Sequence, residues 1–282
     1  MCSYGPMSEA AAQALRAVKS QPKATLLAVD FDGTLSPIVD DPAQAYAHPD
    51  AIAALGRLGH HLGTIAIITG RPAMTAVKLG HFKEMTGLES LVVLGQYGAE
   101  RWEAATDHFE AAPEPKEISE VEDELPALFA ELGLTGVRIE HKGRAIGVHT
   151  RELDDSQGAF DALLKPLREL ASKYGLHLEP GKNVLEIRGS GIDKGDALRR
   201  LLADTGASQV IFAGDDLGDL PAFEVVRELR DEGHPTLLVC SASEEQDALA
   251  KISDLVLDGP QGVAEWLTEL ADSLDTAGAG SR

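Results

Sequence analysis

Four short runs of the sequence are apolar on both faces, and each of them ends in polar or glycine-rich residues. The runs are rich in β-branched and aliphatic side chains, and they cover residues 25–29, 64–68, 91–94 and 210–213. Strands that are apolar on both faces are typical of a parallel sheet buried between helices. Together with helical patterns between them, such as that over 49–61, the runs predict an α/β fold with a doubly wound parallel sheet.

The pattern changes between residues 105 and 189. A Pro/Glu-rich stretch at 112–117 indicates a linker, and the order that follows is helix, strand pair, helix, strand pair. The second of these helices, over 155–174, contains Pro166, where we expect a kink or a start. We therefore predict a small sheet covered by two helices and inserted into the core. The predicted division is a core over 1–105 and 190–275, an inserted α/β domain over 106–189, and a flexible tail over 276–282.

The composition excludes several classes of partner. The chain of 282 residues has 25 Lys and Arg against 46 Asp and Glu, which gives a net charge of −21. Nucleic acids and anionic membranes attract clustered basic residues, so neither is expected as a partner. The two cysteines, Cys2 and Cys240, are too few for a disulfide framework, and neither a signal peptide nor an apolar run of about 18 residues is present. We expect a cytoplasmic protein.

Two carboxylates follow the first apolar run, in the segment Asp30-Phe31-Asp32-Gly33. In an extended chain the side chains of residues i and i+2 leave on the same side. Two like charges that close are costly unless a cation lies between them or one keeps a proton. Both arrangements suit phosphoryl transfer, in which one carboxylate attacks phosphorus, the other transfers protons, and Mg²⁺ neutralises charge. The alternative is an Asp-Gly turn in which one Asp serves as a cap.

A second acidic group follows the fourth run, in Gly214-Asp215-Asp216-Leu217-Gly218-Asp219. Mg²⁺ prefers oxygen ligands, and we expect Asp215, the first residue after the strand glycine, to bind it. Asp216 or Asp219 could equally cap the helix that follows, where acidic residues are stabilised by the helix dipole.

A transferring phosphoryl group also needs hydrogen-bond donors on its oxygens. Thr69, at the end of the second run, offers a hydroxyl and a backbone N–H, and Lys194, at a predicted helix start, offers an ammonium group. The alternatives are a helix cap for Thr69 and a solvated surface cation for Lys194.

These residues resemble the four motifs of the haloacid dehalogenase superfamily of aspartyl-phosphate phosphatases, in the family's order. The motifs are matched by Asp30-Phe31-Asp32-Gly33-Thr34-Leu35, by Thr69, by Lys194, and by Gly214-Asp215-Asp216 with Asp219. The resemblance implies a Rossmann-like parallel-sheet core with an inserted α/β cap domain. It also implies catalytic roles for Asp30 as nucleophile, Asp32 as general acid and base, and Thr69 and Lys194 as ligands of the phosphoryl oxygens. The implied Mg²⁺ ligands are Asp30, the carbonyl of Asp32 and Asp215.

Within this superfamily the chain is similar to the trehalose-6-phosphate phosphatases over about residues 24–265. The similarity rests on the segments 36–42 and 68–72 and on two cap motifs, at 140–151 and 181–186. It implies hydrolysis of trehalose 6-phosphate to trehalose and phosphate, as in trehalose biosynthesis. The substrate-binding residues that it implies are Gln96, Glu140, Lys142, His149, Arg151, Lys182 and Glu186.

Three residues, Gln96, Tyr97 and Thr150, depart from that family's pattern. Gly95-Gln96-Tyr97-Gly98 replaces the usual Gly-Asn-His-Gly or Gly-Ser-His-Gly, and Thr150 replaces the usual Tyr. The missing imidazole at Tyr97 leaves an alternative open, a phosphatase for another sugar phosphate such as sucrose 6-phosphate or a mannosylglycerate phosphate. A catalytically silent sensor or synthase subunit would lack Asp30, Asp32 or Lys194, and all three are present. We expect a monomer that acts on a small sugar phosphate and is functionally coupled to a trehalose-6-phosphate synthase.

Overall fold

The structure is a computed structural model that describes residues 8–181, 183–189, 193–242 and 247–279. The strands are β1 (Thr25–Val29), β2 (Thr64–Ile68), β3 (Leu91–Gly95), β4 (Glu100–Glu103), β5 (His108–Ala111), β6 (Arg138–His141), β7 (Ala145–His149), β8 (Leu176–Gly181), β9 (Val184–Gly189), β10 (Gln209–Gly214), β11 (Thr236–Ser241) and β12 (Leu255–Leu257). The helices are α1 (Glu9–Ser20), α2 (Pro49–His61), α3 (Ala73–Leu79), α4 (Lys116–Glu131), α5 (Ser156–Lys173), α6 (Lys194–Thr205), α7 (Leu220–Asp231), α8 (Asp247–Ala250) and α9 (Gly259–Ala279). The chain divides into two compact units, one of residues 1–111 with 192–282 and the other of residues 112–191.

The first unit contains a sheet in the order β12-β11-β10-β1-β2-β3-β4-β5. Neighbouring strands are parallel from β12 to β3, while β4 and β5 are antiparallel additions at one edge. From β1 the chain moves outward to β2 and β3 on one side and later to β10, β11 and β12 on the other. The predicted doubly wound parallel sheet is thereby confirmed, and β1 lies at the point where the strand order reverses. In such sheets, ligands bind at this point, beyond the carboxyl ends of the strands.

Both faces of this sheet are buried, which explains the continuous apolar runs. Alternate side chains of β1 belong to two different apolar clusters, Leu27 and Val29 to one and Leu26 and Ala28 to the other. Residues of α1, α2, α3 and α9 complete the first cluster, and residues of α6, α7 and α8 complete the second. The helices therefore form a layer on each side of the sheet, as the period-2 alternation of a strand requires.

The second unit contains an antiparallel sheet in the order β6-β7-β9-β8. One face of the sheet packs on α4 and α5 through an apolar cluster that includes Ile118, Leu163, Ile146 and Leu185. Since side chains alternate along each strand, the residues between these apolar positions lie on the opposite face.

Three features differ from the sequence-based predictions. The start predicted at Pro166 is wrong, because α5 runs through that residue, and Leu163 and Leu167 are fully buried on either side of it. The structural division falls after Ala111 and not after residue 105, because β5 pairs with β4 and extends the first sheet. The last helix reaches Ala279, so the first part of the predicted flexible tail is helical. In the described part of the chain, no helix has the length and apolar character needed to span a membrane.

Candidate active site

The candidate active site lies in the first unit, at the carboxyl ends of three adjacent strands. Asp30 follows β1, Thr69 follows β2 and Asp215 follows β10, and β1 is hydrogen-bonded to both of the other strands. The backbone N–H of Asp30 still donates to the Ala213 carbonyl at 2.9 Å, so the carboxylate leaves the sheet where the parallel ladder ends. Parallel strands therefore bring residues from distant parts of the sequence to one edge.

Lys194 forms two buried ion pairs at this edge. Its Nζ lies 2.6 Å from Oδ1 of Asp30 and 2.7 Å from Oδ1 of Asp219. Asp30 and Lys194 are each 4% exposed and Asp219 is fully buried, so the alternative of a solvated surface cation for Lys194 is wrong. Burial opposes the charged form of Lys194, but the two carboxylates outweigh it and raise the pKa of the ammonium group.

Asp219 uses both of its oxygens inside the protein. Oδ1 binds Lys194, and Oδ2 accepts hydrogen bonds from the backbone N–H groups of Asp215 at 3.0 Å and Asp216 at 3.2 Å. The side chain of Asp216 accepts from the N–H of Gly218 at 2.8 Å and so caps the short turn that follows. Asp219 therefore holds both Lys194 and the loop that carries Asp215.

The carboxylates at this edge of the sheet could bind a divalent cation. One oxygen each of Asp30, Asp215 and Asp219 lie within 4.8 Å of one another. These three carboxylates face one ammonium group, that of Lys194, which leaves an excess of two negative charges. Because Asp219 is already hydrogen-bonded through both oxygens, Asp30 and Asp215 are the two that best suit Mg²⁺, a cation that prefers oxygen ligands.

The pKa shifts of these groups have the same physical origin. Burial, followed by repulsion from Asp219 and Asp216, raises the pKa of Asp215 to about 7. Burial also raises the pKa of Asp30 and of Asp219, although Lys194 acts in the opposite direction on both. Carboxyl groups that are costly to ionise together are stabilised when a cation lies between them.

Asp32 points its carboxylate at Arg71. Nη2 and Nε of Arg71 donate to Oδ1 and Oδ2 of Asp32 at 2.6 and 2.7 Å, and Nη1 donates to the Pro42 carbonyl at 2.8 Å. The guanidinium also lies 5.8 Å from the centre of the Phe31 ring. The carboxylate of Asp32 is thus held by Arg71, and its backbone carbonyl stays the predicted Mg²⁺ ligand of this residue.

Thr69 is buried at the end of β2, and its Oγ1 accepts a hydrogen bond from the N–H of Arg71 at 3.1 Å. The neighbouring turn at Gln96 and Tyr97 has left-handed backbone, with φ values of 47° and 60°. The N–H of Gln96 donates to the Arg71 carbonyl at 2.9 Å and that of Tyr97 to the Thr69 carbonyl at 3.0 Å. The structure therefore places the predicted residue Gln96 beside the loop of Thr69. The alternative of a helix cap for Thr69 is wrong, since α3 begins after Pro72.

In the second unit, four of the predicted substrate-binding residues form a polar cluster on the sheet. Nε2 of His149 lies 2.7 Å from Glu140, and Nζ of Lys142 lies 2.7 Å from Glu186. Glu140 on β6 and Glu186 on β9 both pair with Gly147 of β7, and Nζ of Lys142 lies 4.0 Å from Glu140 as well as close to Glu186. Burial lowers the pKa of His149, against the effect of Glu140. This polar cluster consists of Glu140, Lys142, His149 and Glu186.

Two further residues of this unit, Arg151 and Lys182, are predicted to bind the substrate. Arg151 follows β7 and is exposed. Lys182 lies outside the described residues.

Sequence reasoning missed several contacts of the first unit. Arg71 belongs to the segment 68–72 that carries the family resemblance, but no sequence pattern predicts its pairing with Asp32, 39 residues away. Ser241, whose hydroxyl donates to the Gly33 carbonyl, was not singled out at all. Arg71 lies just beyond the carboxyl end of β2 and Ser241 at that of β11, and a position at a strand end is the one signal that could have pointed to them.

Comparisons with known proteins agree with this architecture. A family model described as trehalose-phosphatase matches residues 28–257. A trehalose 6-phosphate phosphatase of Zea mays is 31% identical to this chain over 266 residues, 89% of this chain and 70% of that protein. A trehalose-phosphate phosphatase of Mycobacterium marinum is 31% identical over 88% of this chain, which spans only 62% of that relative.

Solved structures show the same fold. The C-terminal domain of a C. albicans trehalose-6-phosphate phosphatase matches with a TM-score of 0.72 at 23% identity, over 95% of this chain and 99% of that domain. A haloacid dehalogenase-like hydrolase from Bacteroides thetaiotaomicron matches with a TM-score of 0.61 at 17% identity, over 87% of this chain and 99% of that one.

Proposed function

This chain belongs to the trehalose-phosphatase family, and we propose that it hydrolyses trehalose 6-phosphate to trehalose and phosphate through a phosphoaspartate on Asp30, with Mg²⁺ as cofactor. The resemblance to haloacid dehalogenase phosphatases that the motifs indicated is confirmed by the family and by the fold. The observation that carries the proposal is the buried contact of Lys194 with Asp30 beside Asp215. A carboxylate that is held by an ammonium group and faces a site for a divalent cation is suited to attack a phosphoryl group, because both cations offset the negative charge of the substrate.

In the first step, an oxygen of Asp30 attacks phosphorus, and the bond between phosphorus and the sugar oxygen breaks. Lys194 binds Oδ1 of Asp30 and so leaves Oδ2 for the attack. Protonated Asp32 gives its proton to the departing sugar oxygen and becomes a carboxylate. The products of this step are the free sugar and a phosphorylated Asp30.

In the second step, the Asp32 carboxylate takes a proton from water, and the water oxygen attacks phosphorus. The bond between phosphorus and Asp30 breaks, which releases phosphate and restores the Asp30 carboxylate. Asp32 ends the cycle protonated, as it began. Thr69 and Lys194 donate hydrogen bonds to the phosphoryl oxygens in both steps, where the negative charge is spread over three oxygens.

Asp30, the backbone carbonyl of Asp32 and Asp215 would hold Mg²⁺. When bound, the cation supplies charge neutralisation at the phosphoryl oxygens. The carboxylates of Asp30 and Asp215 fit this role because they are buried and because the negative charge of Asp215 raises the pKa of Asp30, an effect that a cation offsets.

The polar cluster of the second unit supports the sugar specificity. Its carboxylates accept hydrogen bonds well, and sugar hydroxyls are hydrogen-bond donors. We propose that Glu140, Lys142, His149 and Glu186 bind the sugar, together with Gln96, Arg151 and Lys182. Another sugar phosphate, such as sucrose 6-phosphate or a mannosylglycerate phosphate, remains the alternative substrate because Tyr97 replaces the usual histidine.

The cellular setting is part of the same proposal. The buried free thiol of Cys240 is typical of proteins in reducing compartments and supports a cytoplasmic location. We further propose that the chain acts as a monomer and is functionally coupled to a trehalose-6-phosphate synthase.

One experiment tests the proposed reaction. Phosphate release is measured on trehalose 6-phosphate, sucrose 6-phosphate, glucose 6-phosphate and a mannosylglycerate phosphate, with Mg²⁺ and with a chelator. The expected result is preference for trehalose 6-phosphate, loss of turnover with the chelator, and loss of turnover in Asp30→Asn but not in Asp231→Asn, a change at an exposed position of α7. Turnover by Asp30→Asn at the wild-type rate would exclude Asp30 as the nucleophile.

A further inference from the structure

We propose that Ser241 is a positioning residue for the Mg²⁺ site, which it serves by holding the backbone of Gly33 over Asp215. The inference rests on the proposed function, since it concerns the site that Asp30, the Asp32 carbonyl and Asp215 would form. Ser241 is not a ligand in this proposal, and it acts through the loop that follows β1.

The hydrogen bond of Ser241 crosses the end of one strand. Ser241 is the last residue of β11, and its Oγ donates to the Gly33 carbonyl at 2.6 Å. In the sheet, β10 lies between β11 and β1. The residue that follows β10 is Asp215, so the contact between Ser241 and Gly33 passes over the strand end that carries this carboxylate.

Gly33 lies directly against the Asp215 side chain. A Cβ atom at Gly33 would be 2.0 Å from Oδ2 and 2.4 Å from Cγ of Asp215, so only a glycine backbone fits there. Thr34, the next residue, has its Oγ1 3.5 Å from Oδ1 of Asp215. The loop after β1 and the Asp215 carboxylate are therefore packed together.

Two hydrogen bonds fix the backbone of Gly33. Its N–H donates to the Ser36 carbonyl at 2.7 Å, and its carbonyl accepts from Ser241. The N–H of Gly33 belongs to the same planar peptide as the carbonyl of Asp32, so the direction of that carbonyl is set by the orientation of Gly33. Ser241 holds the following peptide, so the two peptides that flank the Cα of Gly33 are both restrained beside Asp215.

The position of Ser241 is well suited to this role. The side chain is fully buried. Its hydroxyl donates to a backbone carbonyl of the candidate site and not to its own strand. A buried hydrogen bond of 2.6 Å between distant segments restrains both of them, and its loss leaves the Gly33 carbonyl without this donor. A residue that only filled space in the core would not need the hydroxyl.

The test measures Mg²⁺ binding directly, by isothermal titration calorimetry on the full chain, so that it does not depend on turnover. Ser241→Ala removes the hydroxyl, and Ser241→Cys keeps a side chain of similar size with a weak donor, in case the alanine variant does not fold. Ser273→Ala is the matched control, because the Oγ of Ser273 donates to the Leu270 carbonyl within α9 at 2.8 Å.

The expected result is a rise of about fivefold to tenfold in the Mg²⁺ dissociation constant for both Ser241 variants, the size that corresponds to one hydrogen bond. Ser273→Ala is expected to bind Mg²⁺ as the wild type does. Unchanged Mg²⁺ binding in the Ser241 variants, or an equal loss in the Ser273 control, would overturn the inference and leave the proposed function intact. A wild-type protein that binds no Mg²⁺ would overturn the proposed metal role itself, and the inference with it.

Discussion

A single guanidinium group, that of Arg71, binds both carboxylate oxygens of Asp32. The two donor–acceptor distances are 2.6 and 2.7 Å, and the third nitrogen of Arg71 is fixed on the Pro42 carbonyl at 2.8 Å. Each carboxylate oxygen has two lone pairs, so an oxygen that accepts from Arg71 retains one for a proton. Arg71 can therefore orient Asp32 without preventing its proposed exchange of protons with the substrate.

Arg71→Gln is expected to lower kcat/KM for trehalose 6-phosphate by about tenfold to a hundredfold, because a general acid that is out of place loses most of its effect. The value for p-nitrophenyl phosphate is expected to fall by much less, since nitrophenolate leaves without a proton. For both substrates, kcat/KM reports the steps up to phosphorylation of Asp30, so the comparison isolates the proton transfer.

The matched control for this prediction is Arg57→Gln. Arg57 forms ion pairs with Asp272 and Asp275 across α2 and α9, away from the strand ends of the candidate site. Arg57→Gln is expected to leave kcat/KM unchanged for both trehalose 6-phosphate and p-nitrophenyl phosphate. An equal loss on both substrates in Arg71→Gln would indicate a general disturbance of the site, and an increase for the sugar phosphate would show that the ion pair restrains Asp32.

Replacement of Lys194 by methionine is expected to lower the free energy of unfolding by about 3–5 kcal/mol, because it leaves Asp30 and Asp219 as buried carboxylates without their cation. Urea unfolding of the protein in the presence of a chelator measures this change. The control is Lys165→Met on α5, where Lys165 is 84% exposed beside Glu169, and an effect within about 0.5 kcal/mol is expected. Equal stability of the two variants would contradict the buried ion pairs.

The stability of the metal-free protein is expected to fall as pH rises from 3.8 to about 7. Burial raises the pKa of Asp215 across this range, so the folded state binds more protons there than the unfolded state does. The pKa values of Asp30 and Asp219 shift in the same direction and add to the trend.

Mg²⁺ is expected to raise Tm more above pH 7 than below it, because protons compete with the cation for the same oxygens. Thermal unfolding with Mg²⁺ or a chelator, at pH values on either side of 7, checks both trends, and a Mg²⁺ effect independent of pH would contradict them.

Gly33→Ala is expected to lower both the stability and the affinity for Mg²⁺. The φ of Gly33 is +73°, and the new Cβ would lie 2.0 Å from Oδ2 of Asp215. Gly175→Ala separates the two causes, because Gly175 has a φ of +69° but nothing within 4 Å of the added atom. Left-handed backbone alone costs about 1–2 kcal/mol, so Gly175→Ala should lose this much and keep the Mg²⁺ affinity. If the two variants have equal free energies of unfolding and equal Mg²⁺ affinities, the close contact with Asp215 is not as described.

The parts of this site that the sequence predicted are those that local pattern determines. The strands after which Asp30, Thr69 and Asp215 stand were visible as apolar runs, because a strand buried on both faces has no polar positions. The pairs of Arg71 with Asp32 and of Lys194 with Asp219 were not visible, since they join segments whose approach depends on how the loops pack. Ser241 and Gly33 are 208 residues apart, and no periodicity links them.

The antiparallel strand β5 was missed for a related reason. Its four residues, His108 to Ala111, are all exposed and carry no apolar run, so the stretch looked like the start of the next domain. Pairing with β4 makes it a strand, and that pairing is a property of the folded sheet.

The polar cluster of the second unit provides the last prediction, which separates sugar binding from chemistry. Glu186→Gln is expected to raise KM for trehalose 6-phosphate several-fold while kcat stays within about twofold, because a residue that binds the sugar equally in the ground and transition states affects binding alone. For p-nitrophenyl phosphate, which carries no sugar, neither constant should change.

Glu169→Gln is the control, since Glu169 is an exposed residue of α5, a helix that packs on the opposite face of the small sheet. Because Lys142 lies 2.7 Å from Glu186, the Glu186→Gln variant also removes the charge that faces this lysine, and Lys142→Met in the same background tests whether the effect belongs to the carboxylate. An unchanged KM for the sugar phosphate in Glu186→Gln would exclude this carboxylate from sugar binding, and a loss of kcat on both substrates would show that its role is not specific to the sugar.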